Sequence, residues 1–406
     1  MDFQIIARTV PVVKNDKIVT DGNLINDFKN VSGLCANVCY SKGYDKSTID
    51  SKLIDYEVNS KRFERVISTG HHSIADHASA TVYLGGISKA LAMLLNSLRC
   101  YTTSERSARY TNVSESCSSE ERRLYDKWKN IIFDCINNNY TNIDEKRAVK
   151  LAMENARYMV SVFAKATSMA YTASYRQWSY IVNWCDKAIE EWRRSGTDFQ
   201  KKLIPELQEL RSFICGEDML DGNVVDDIKN RKFELFSDDT DDCTNVYGRN
   251  YSIAYSLSFA CLAQLQRHRT LEYTIDLTYA DCDKQMFYIP EIIKSDTKLI
   301  DEWLCDINSV AGLYPQGMMV KVRECGRVED LILKAKERLC GRAQLEAMLS
   351  TKYVLDEIWK NADDSIKKYI YEYRTEKNEW KAKCQMLNGC IEPCEFAGSK
   401  AFTRNI

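Results

Sequence analysis

The chain has four histidines in 406 residues, and they occupy two short segments. His71, His72 and His77 lie in GHHSIADH, and His268 lies in QRHR at 266–269. Histidine titrates nearest neutral pH, which suits it to proton transfer, stacking on a ring or metal binding. The competing reading is that all four are packed or solvated. Zinc ligands on one helical face want a spacing of about four residues. His72 to His77 is five and His71 to His77 is six, so only His72 and Asp76 are well spaced, and no metal site is expected. In QRHR, one cation at a helix C-terminus is explained by the macrodipole. Arg267, His268 and Arg269 in a row would repel, and a phosphate or pyrophosphate would relieve that repulsion while accepting paired hydrogen bonds. A third segment, SERSAR at 104–109, offers a carboxylate, a hydroxyl and a guanidinium. If it is extended, Glu105, Ser107 and Arg109 share one face and could clamp a base edge and a phosphate; the alternative is a solvated polar loop.

The elements that must carry these residues follow from periodicity. Residues 3–14 read as an edge strand and 45–69 as helical. Alternation over Ala78–Leu84 predicts a strand ended by Gly85-Gly86, and Ser88 then opens a helix, SKALAMLLNSLR. From about 120 to 193 the chain reads as helical and rich in Tyr and Trp. The charged stretch 196–245 reads as a connecting segment. Beyond it come a helix SIAYSLSFACLAQLQRHR, a strand-like EYTIDLTYA, QMFYIP, a helical region at 325–362, and a charged helix with a Cys-containing tail over 363–406.

Composition narrows the setting. A formal charge of −2 implies no broad basic field, so nucleic-acid binding is not expected and any anion must be held by a local arginine cluster. The start, MDFQIIARTVPVV, lacks the basic and apolar regions of a secretory signal, and no apolar run approaches membrane-spanning length. The sixteen cysteines are scattered, and they read as reduced, mostly buried thiols of a cytoplasmic protein. Cys384, Cys390 and Cys394 read as part of an irregular reduced tail in preference to a metal site.

The motifs recur. Laying Ser88-Lys89-Ala90 on Ser258-Phe259-Ala260 aligns the two halves without a gap: Ser97-Leu98-Arg99 falls on Arg267-His268-Arg269, and Glu105 to Arg109 falls on Ile275 to Tyr279. The run from GHHSIADH through SERSAR resembles the flavin-dependent thymidylate synthases, the ThyX family. That family shows GH-x-S, then a helix ending in Q-x-x-RHR, then S-x-R eight residues on. In the first half Ser107 and Arg109 supply S-x-R, ENAR ending at Arg157 resembles E-x-AR, and Arg176 in SYRQW matches a family arginine, but RHR has become Ser97-Leu98-Arg99. In the second half Gln264 to Arg269 matches Q-x-x-RHR in full, and ERLCGRAQLE supplies Arg338 where the first half has Cys185. The retained motifs are complementary.

The resemblance implies an α+β fold made of two ThyX-like units, each a mixed β-sheet flanked by long helices, over 1–195 and 246–362. It implies FAD as cofactor, with NADPH and methylenetetrahydrofolate as co-substrates, and dUMP or a related pyrimidine nucleotide as substrate. By resemblance, the flavin meets Arg267, His268, Arg269, Ser73, Glu105 and Arg176. The nucleotide meets Gln264, Arg267, Glu105, Arg106, Ser107, Ala108, Arg109, Arg157 and Arg338. Arg267 and His268, with Ser107 as a positioning hydroxyl and His71 stacking on the folate, stand nearest the chemistry. A homodimer would imitate the family's tetramer. Two alternatives stay open: another C5 modification, such as hydroxymethylation, and a non-catalytic nucleotide-binding or scaffold protein.

Overall fold

The computed structural model describes residues 1–13, 17–38, 52, 55–98, 101–107, 109, 116–216, 219–220, 235–236, 244–281, 285–387, 389–390 and 394–406. The fold is α+β. In chain order it runs β1 (Asp2–Arg8), the small pair β2 (Val12–Val13) and β3 (Lys17–Ile18), α1 (Leu24–Val38), α2 (Tyr56–Ser68), β4 (Ser79–Ile87), α3 (Lys89–Leu95) and β5 (Thr102–Glu105). Then come α4 (Ser119–Asn139), α5 (Glu145–Ala156), β6 (Thr167–Ser174), α6 (Tyr175–Ser195) and α7 (Asp198–Gly216). The remainder is β7 (Asn245–Tyr247), β8 (Asn250–Ser258), α8 (Phe259–Leu265), β9 (Glu272–Asp276), α9 (Thr297–Ser309), β10 (Met319–Arg327), α10 (Val328–Arg338), α11 (Leu345–Asn361), α12 (Asp364–Ile370) and α13 (Lys400–Thr403).

Two compact units are interleaved along the chain. The first comprises Met1–Ile87, Leu98–Arg106 and Thr167–Phe233; the second comprises Ser88–Ser97, Ser107–Ala166 and Glu234–Ile406. In the first, an antiparallel sheet has the order β1-β4-β6-β5, with β1 at the edge as expected. Its aromatic core sets Phe28 and Phe63 edge-on to Tyr175, and Tyr101 stacks on Tyr171. In the second, the antiparallel order is β7-β8-β10-β9, the same edge-second-fourth-third arrangement. Here Trp128 meets Trp303 edge-on.

Several expectations need correction. β4 does not stop at Gly85-Gly86; it passes through them to Ile87, with a register shift there and Gly86 at φ +63. Part of the 252–269 helix is strand: in β8, Tyr251, Ile253, Tyr255 and Leu257 alternate inward, and only from Phe259 does the helix begin. Small Ser and Ala residues between them fit either period, which hid the alternation. β6 interrupts the supposed helical run at 120–193, with Thr167, Met169, Tyr171 and Ala173 buried, and β10 likewise opens the helical region after it. The connecting segment holds the 19-residue helix α7.

The strand register refines the self-alignment. Leu84 faces Met169 as Tyr255 faces Val322, all four buried, and the bulge between Gly85 and Ile87 absorbs the extra residue, so that Ser88 still falls on Ser258. Glu105 faces Met169 as Ile275 faces Val322, with Met169 and Val322 both buried, in agreement with Glu105 on Ile275. A slip of one residue exchanges the two faces of a strand.

No disulfide joins the described cysteines. Most are not buried: Cys185 and Cys261 are, Cys35 and Cys340 are half-buried, and Cys384 is exposed. Among the described residues no helix is long and apolar enough to cross a membrane.

Candidate active site

The second unit gathers most of the expected nucleotide residues, and it does so from the start of α8. Ser258 caps that helix, its hydroxyl oxygen accepting the Cys261 N–H at 3.1 Å. The Ala260 N–H, with no partner inside the helix, donates to the Gln316 carbonyl at 2.9 Å. The first-half helix α3 repeats both devices: Ser88 accepts the Leu91 N–H at 3.0 Å, and the Ala90 N–H donates to Val162 at 2.9 Å. Those two accepting segments pair with each other, Val162 N–H to Tyr314 at 2.9 Å and Gln316 N–H to Val160 at 2.7 Å.

At its far end α8 tightens into a single 3₁₀ turn, Gln266–His268, and Arg269 closes it in the left-handed region at φ 54. That conformation costs a non-glycine residue about 1–2 kcal/mol. The picture of three adjacent cations is corrected here. Burial, helped by the nearby Arg338 and Lys334 charges, lowers His268 to about 4, so its imidazole is neutral at pH 7.

Arg338, at the end of α10, donates from Nη2 to the Gln264 carbonyl at 3.0 Å. Burial lowers its pKa against the opposing pull of Tyr273, and the neighbouring Arg109 adds to the lowering. Arg109 donates from Nε to Glu154 and from Nη2 to the Arg342 carbonyl at 2.7 Å. The expected extended face of Glu105, Ser107 and Arg109 is not formed: β5 stops at Glu105, and the Ser107 hydroxyl accepts the Arg109 N–H at 3.3 Å in a turn. In the second half Asp276 accepts the Thr278 N–H at 2.9 Å in the same way.

Arg157 is buried and donates from Nη2 to Gln344 Oε1 at 2.6 Å. Gln344 in turn donates to the Tyr158 hydroxyl at 2.5 Å, which donates to Glu346 Oε2 at 2.7 Å. Glu346 also accepts from the Ser258 N–H at 2.8 Å and the Ser258 hydroxyl at 2.6 Å. Burial pushes this carboxyl up. The relay therefore ties Arg157 to the first turn of α8.

Arg338 has a second support that the sequence reading missed. Lys334, one turn earlier and fully buried, donates to Glu324 on β10 at 2.6 Å, and Tyr251 and Tyr255 each donate to the same carboxylate at 2.6 Å. Burial pushes Glu324 up, but Lys334 and the tyrosine hydroxyls outweigh it and hold the carboxyl below its ordinary range. The available signal was the pair of inward tyrosines on β8, once β8 is read as a strand.

Several donors and acceptors here remain unsatisfied. Gln264 Oε1, both amide atoms of Gln266, Arg338 Nε and Arg157 Nε are buried without a partner among the described residues. Each such group costs about 1–3 kcal/mol unless something else completes it. Arg267 is half-buried and Arg269 exposed.

The first unit holds the other expected residues. His71 precedes a 3₁₀ turn, His72–Asp76, and both His71 and Ser73 are exposed. Glu105 is half-buried and Arg106 exposed, its N–H donating to Ser168 at 2.8 Å. Arg176 is buried, with Nη1 on Asp76 Oδ2 at 2.8 Å, while Asp76 Oδ1 accepts the Ser174 hydroxyl at 2.8 Å. Asp76 thus holds an arginine. Ala108 lies outside the described residues. Among the described residues no cluster of three or more His, Cys, Asp or Glu could hold a metal ion.

No curated protein matches this sequence. The family model described as "thymidylate synthase complementing protein" matches residues 23–203, a stretch that contains GHHSIADH, SERSAR, ENAR and SYRQW and ends before QRHR. Over residues 23–203, then, this chain is similar to the thymidylate synthase complementing proteins, the ThyX type.

Proposed function

We propose that the chain methylates C5 of a uracil nucleotide, dUMP to dTMP, with FAD as cofactor and NADPH and methylenetetrahydrofolate as co-substrates. The observation that carries this reading is the meeting of Arg109, Arg338 and Gln264 beside buried polar atoms that no described residue completes. An amide acceptor, amide donors and guanidinium N–H groups are what a pyrimidine edge and a phosphate require. The nucleotide residues are Gln264, Arg267, Ser107, Arg109, Arg157 and Arg338, joined by Glu105, Arg106 and Ala108.

The residues present also fit a flavin dinucleotide. Arg267 and exposed Arg269 offer guanidinium groups suited to a pyrophosphate, and His268, neutral at pH 7, can accept or donate one hydrogen bond without adding charge. Ser73, Glu105 and Arg176 complete the proposed flavin set. Arg176 contributes least, because Asp76 already takes one of its nitrogens. When bound, reduced flavin supplies hydride and carries the one-carbon unit. The protein's part is to bind, orient and exclude water. Arg109 and Arg338 neutralise the nucleotide phosphate, Gln264 reads the ring, Ser107 fixes the Arg109 turn, and exposed His71 is available to stack on the folate.

The two like-ordered sheets, the matching serine caps and the paired 160–162 and 314–316 segments support descent from two fused copies. On that view a homodimer acts as a pseudo-tetramer. The test is incubation with FAD, NADPH, methylenetetrahydrofolate and dUMP, followed by mass analysis. The expected product carries one added methyl group. A hydroxymethylated or unchanged nucleotide, or a protein that binds no flavin, would overturn the reading.

A further inference from the structure

The C-terminal segment brings an arginine to the same neighbourhood that no family motif assigns. Phe396 packs on Gly341 so closely that a Cβ there would stand 2.6 Å from the Phe396 carbonyl oxygen. Asn405 is held to Tyr140, its N–H donating to the hydroxyl at 3.1 Å. These contacts place Arg404, only 7% exposed, with Nη2 on the Ala343 carbonyl at 2.6 Å. The preceding carbonyl, Arg342, is the one that Arg109 takes. Two guanidinium groups therefore sit on adjacent carbonyls of one loop. A third, Arg147, lies on α5 seven residues before Glu154, two turns along the same face. Its charge and that of Arg109 both reach Arg404, and Glu154 opposes them.

This neighbourhood is rich in unanswered donors. Arg147 Nε and Nη2 and Arg404 Nε are buried without a partner among the described residues. Arg109 and Arg404 face the one carboxylate of Glu154. Arg404 also donates from Nη1 to the Ile406 oxygen, and the unused N–H groups of Arg147 and Arg404 are in place to bond a further oxyanion. Arg109 is the shared member, its charge reaching both Arg338 and Arg404.

We propose that Arg147 and Arg404, beside Arg109, form a second oxyanion pocket that holds the outer phosphate of a pyrimidine nucleoside diphosphate. The nucleotide identity rests on the proposed function; the oxyanion pocket does not. The pocket would let the chain take a diphosphate in preference to, or as well as, the monophosphate.

Calorimetric titration of the full chain with inorganic phosphate, pyrophosphate, dUMP and dUDP tests this. Pyrophosphate should bind at least about tenfold more tightly than phosphate, and dUDP than dUMP, as expected for added charge-assisted hydrogen bonds. Arg147→Gln should erase both gaps and leave thermal stability near wild type, because the unpartnered Nε and Nη2 make no protein bond to lose. Arg404→Lys, which keeps the charge, should narrow the gaps less than Arg404→Gln. Equal affinities in the wild type, or gaps untouched by Arg147→Gln, would overturn the pocket. A pyrophosphate gap without a dUDP gap would overturn the nucleotide assignment. A colourless protein that keeps both gaps would defeat the proposed function alone, and a flavin-bound protein without them would defeat this inference alone.

Discussion

At the residue scale the most consequential group is His268. Its pKa, lowered by burial to about 4, lies below the ordinary histidine value of 6.5. The unfolded chain therefore binds a proton between those values and the native chain does not, so stability should be level above pH 6.5 and fall as pH drops towards 4. The loss should approach roughly 3 kcal/mol from this group. His268→Gln should remove that slope, as seen by urea titration at pH 7 and pH 5; an unchanged slope would refute the assignment. An anion bound nearby should raise the imidazole pKa, which NMR titration with and without phosphate would detect. The identity of this residue was legible in the sequence, since four histidines draw notice. Its charge state was not, because burial and the approach of Arg338 and Lys334 come from packing. The same holds for Arg176, whose type was foreseen but whose partner Asp76 lay a hundred residues away.

At the scale of elements, α8 and α10 are held by polar networks whose removal should be measurable. Lys334→Met would leave Glu324 buried without its cation, which typically costs about 3–5 kcal/mol. Glu324→Gln together with Lys334→Met should recover part of that loss. Thermal denaturation of both variants checks it, and equal melting temperatures for single variant and wild type would show that the pair does not anchor α10. Ser258→Ala removes both a helix cap and the hydroxyl bond to Glu346, leaving the backbone N–H bond, so it should cost more than Ser88→Ala, which removes a cap worth about 1 kcal/mol. Reading elements from the sequence succeeded where alternation was clean, as in β4, and where a serine preceded an apolar run, as at Ser88. It failed at β8, whose small outward residues suited a helix equally, and at β6 and β10, whose pairing with β4 and β8 supplies what local preference does not.

At the scale of the whole molecule, the split of retained motifs predicts one flavin per chain. Absorbance of bound FAD against protein concentration should give a ratio near one, and two would contradict a single surviving composite site. A solution mass of twice the chain is expected on the same view. The two sheets share a strand order that the sequence hinted at only through weak self-similarity, because nine-residue strands such as β4 and β8 keep their place in the sheet while nearly every side chain differs.

The polypeptide changes from one compact unit to the other at 88, 98, 107, 167 and 234. No single scissor cut can therefore release a self-sufficient half. A fragment ending at 195 would carry α3, α4 and α5 without the strands β7 to β10 with which they form a unit, leaving Trp128 and its neighbours stripped of their cover. Such a fragment made alone should be insoluble, whereas making it together with the remaining piece should restore both to solution.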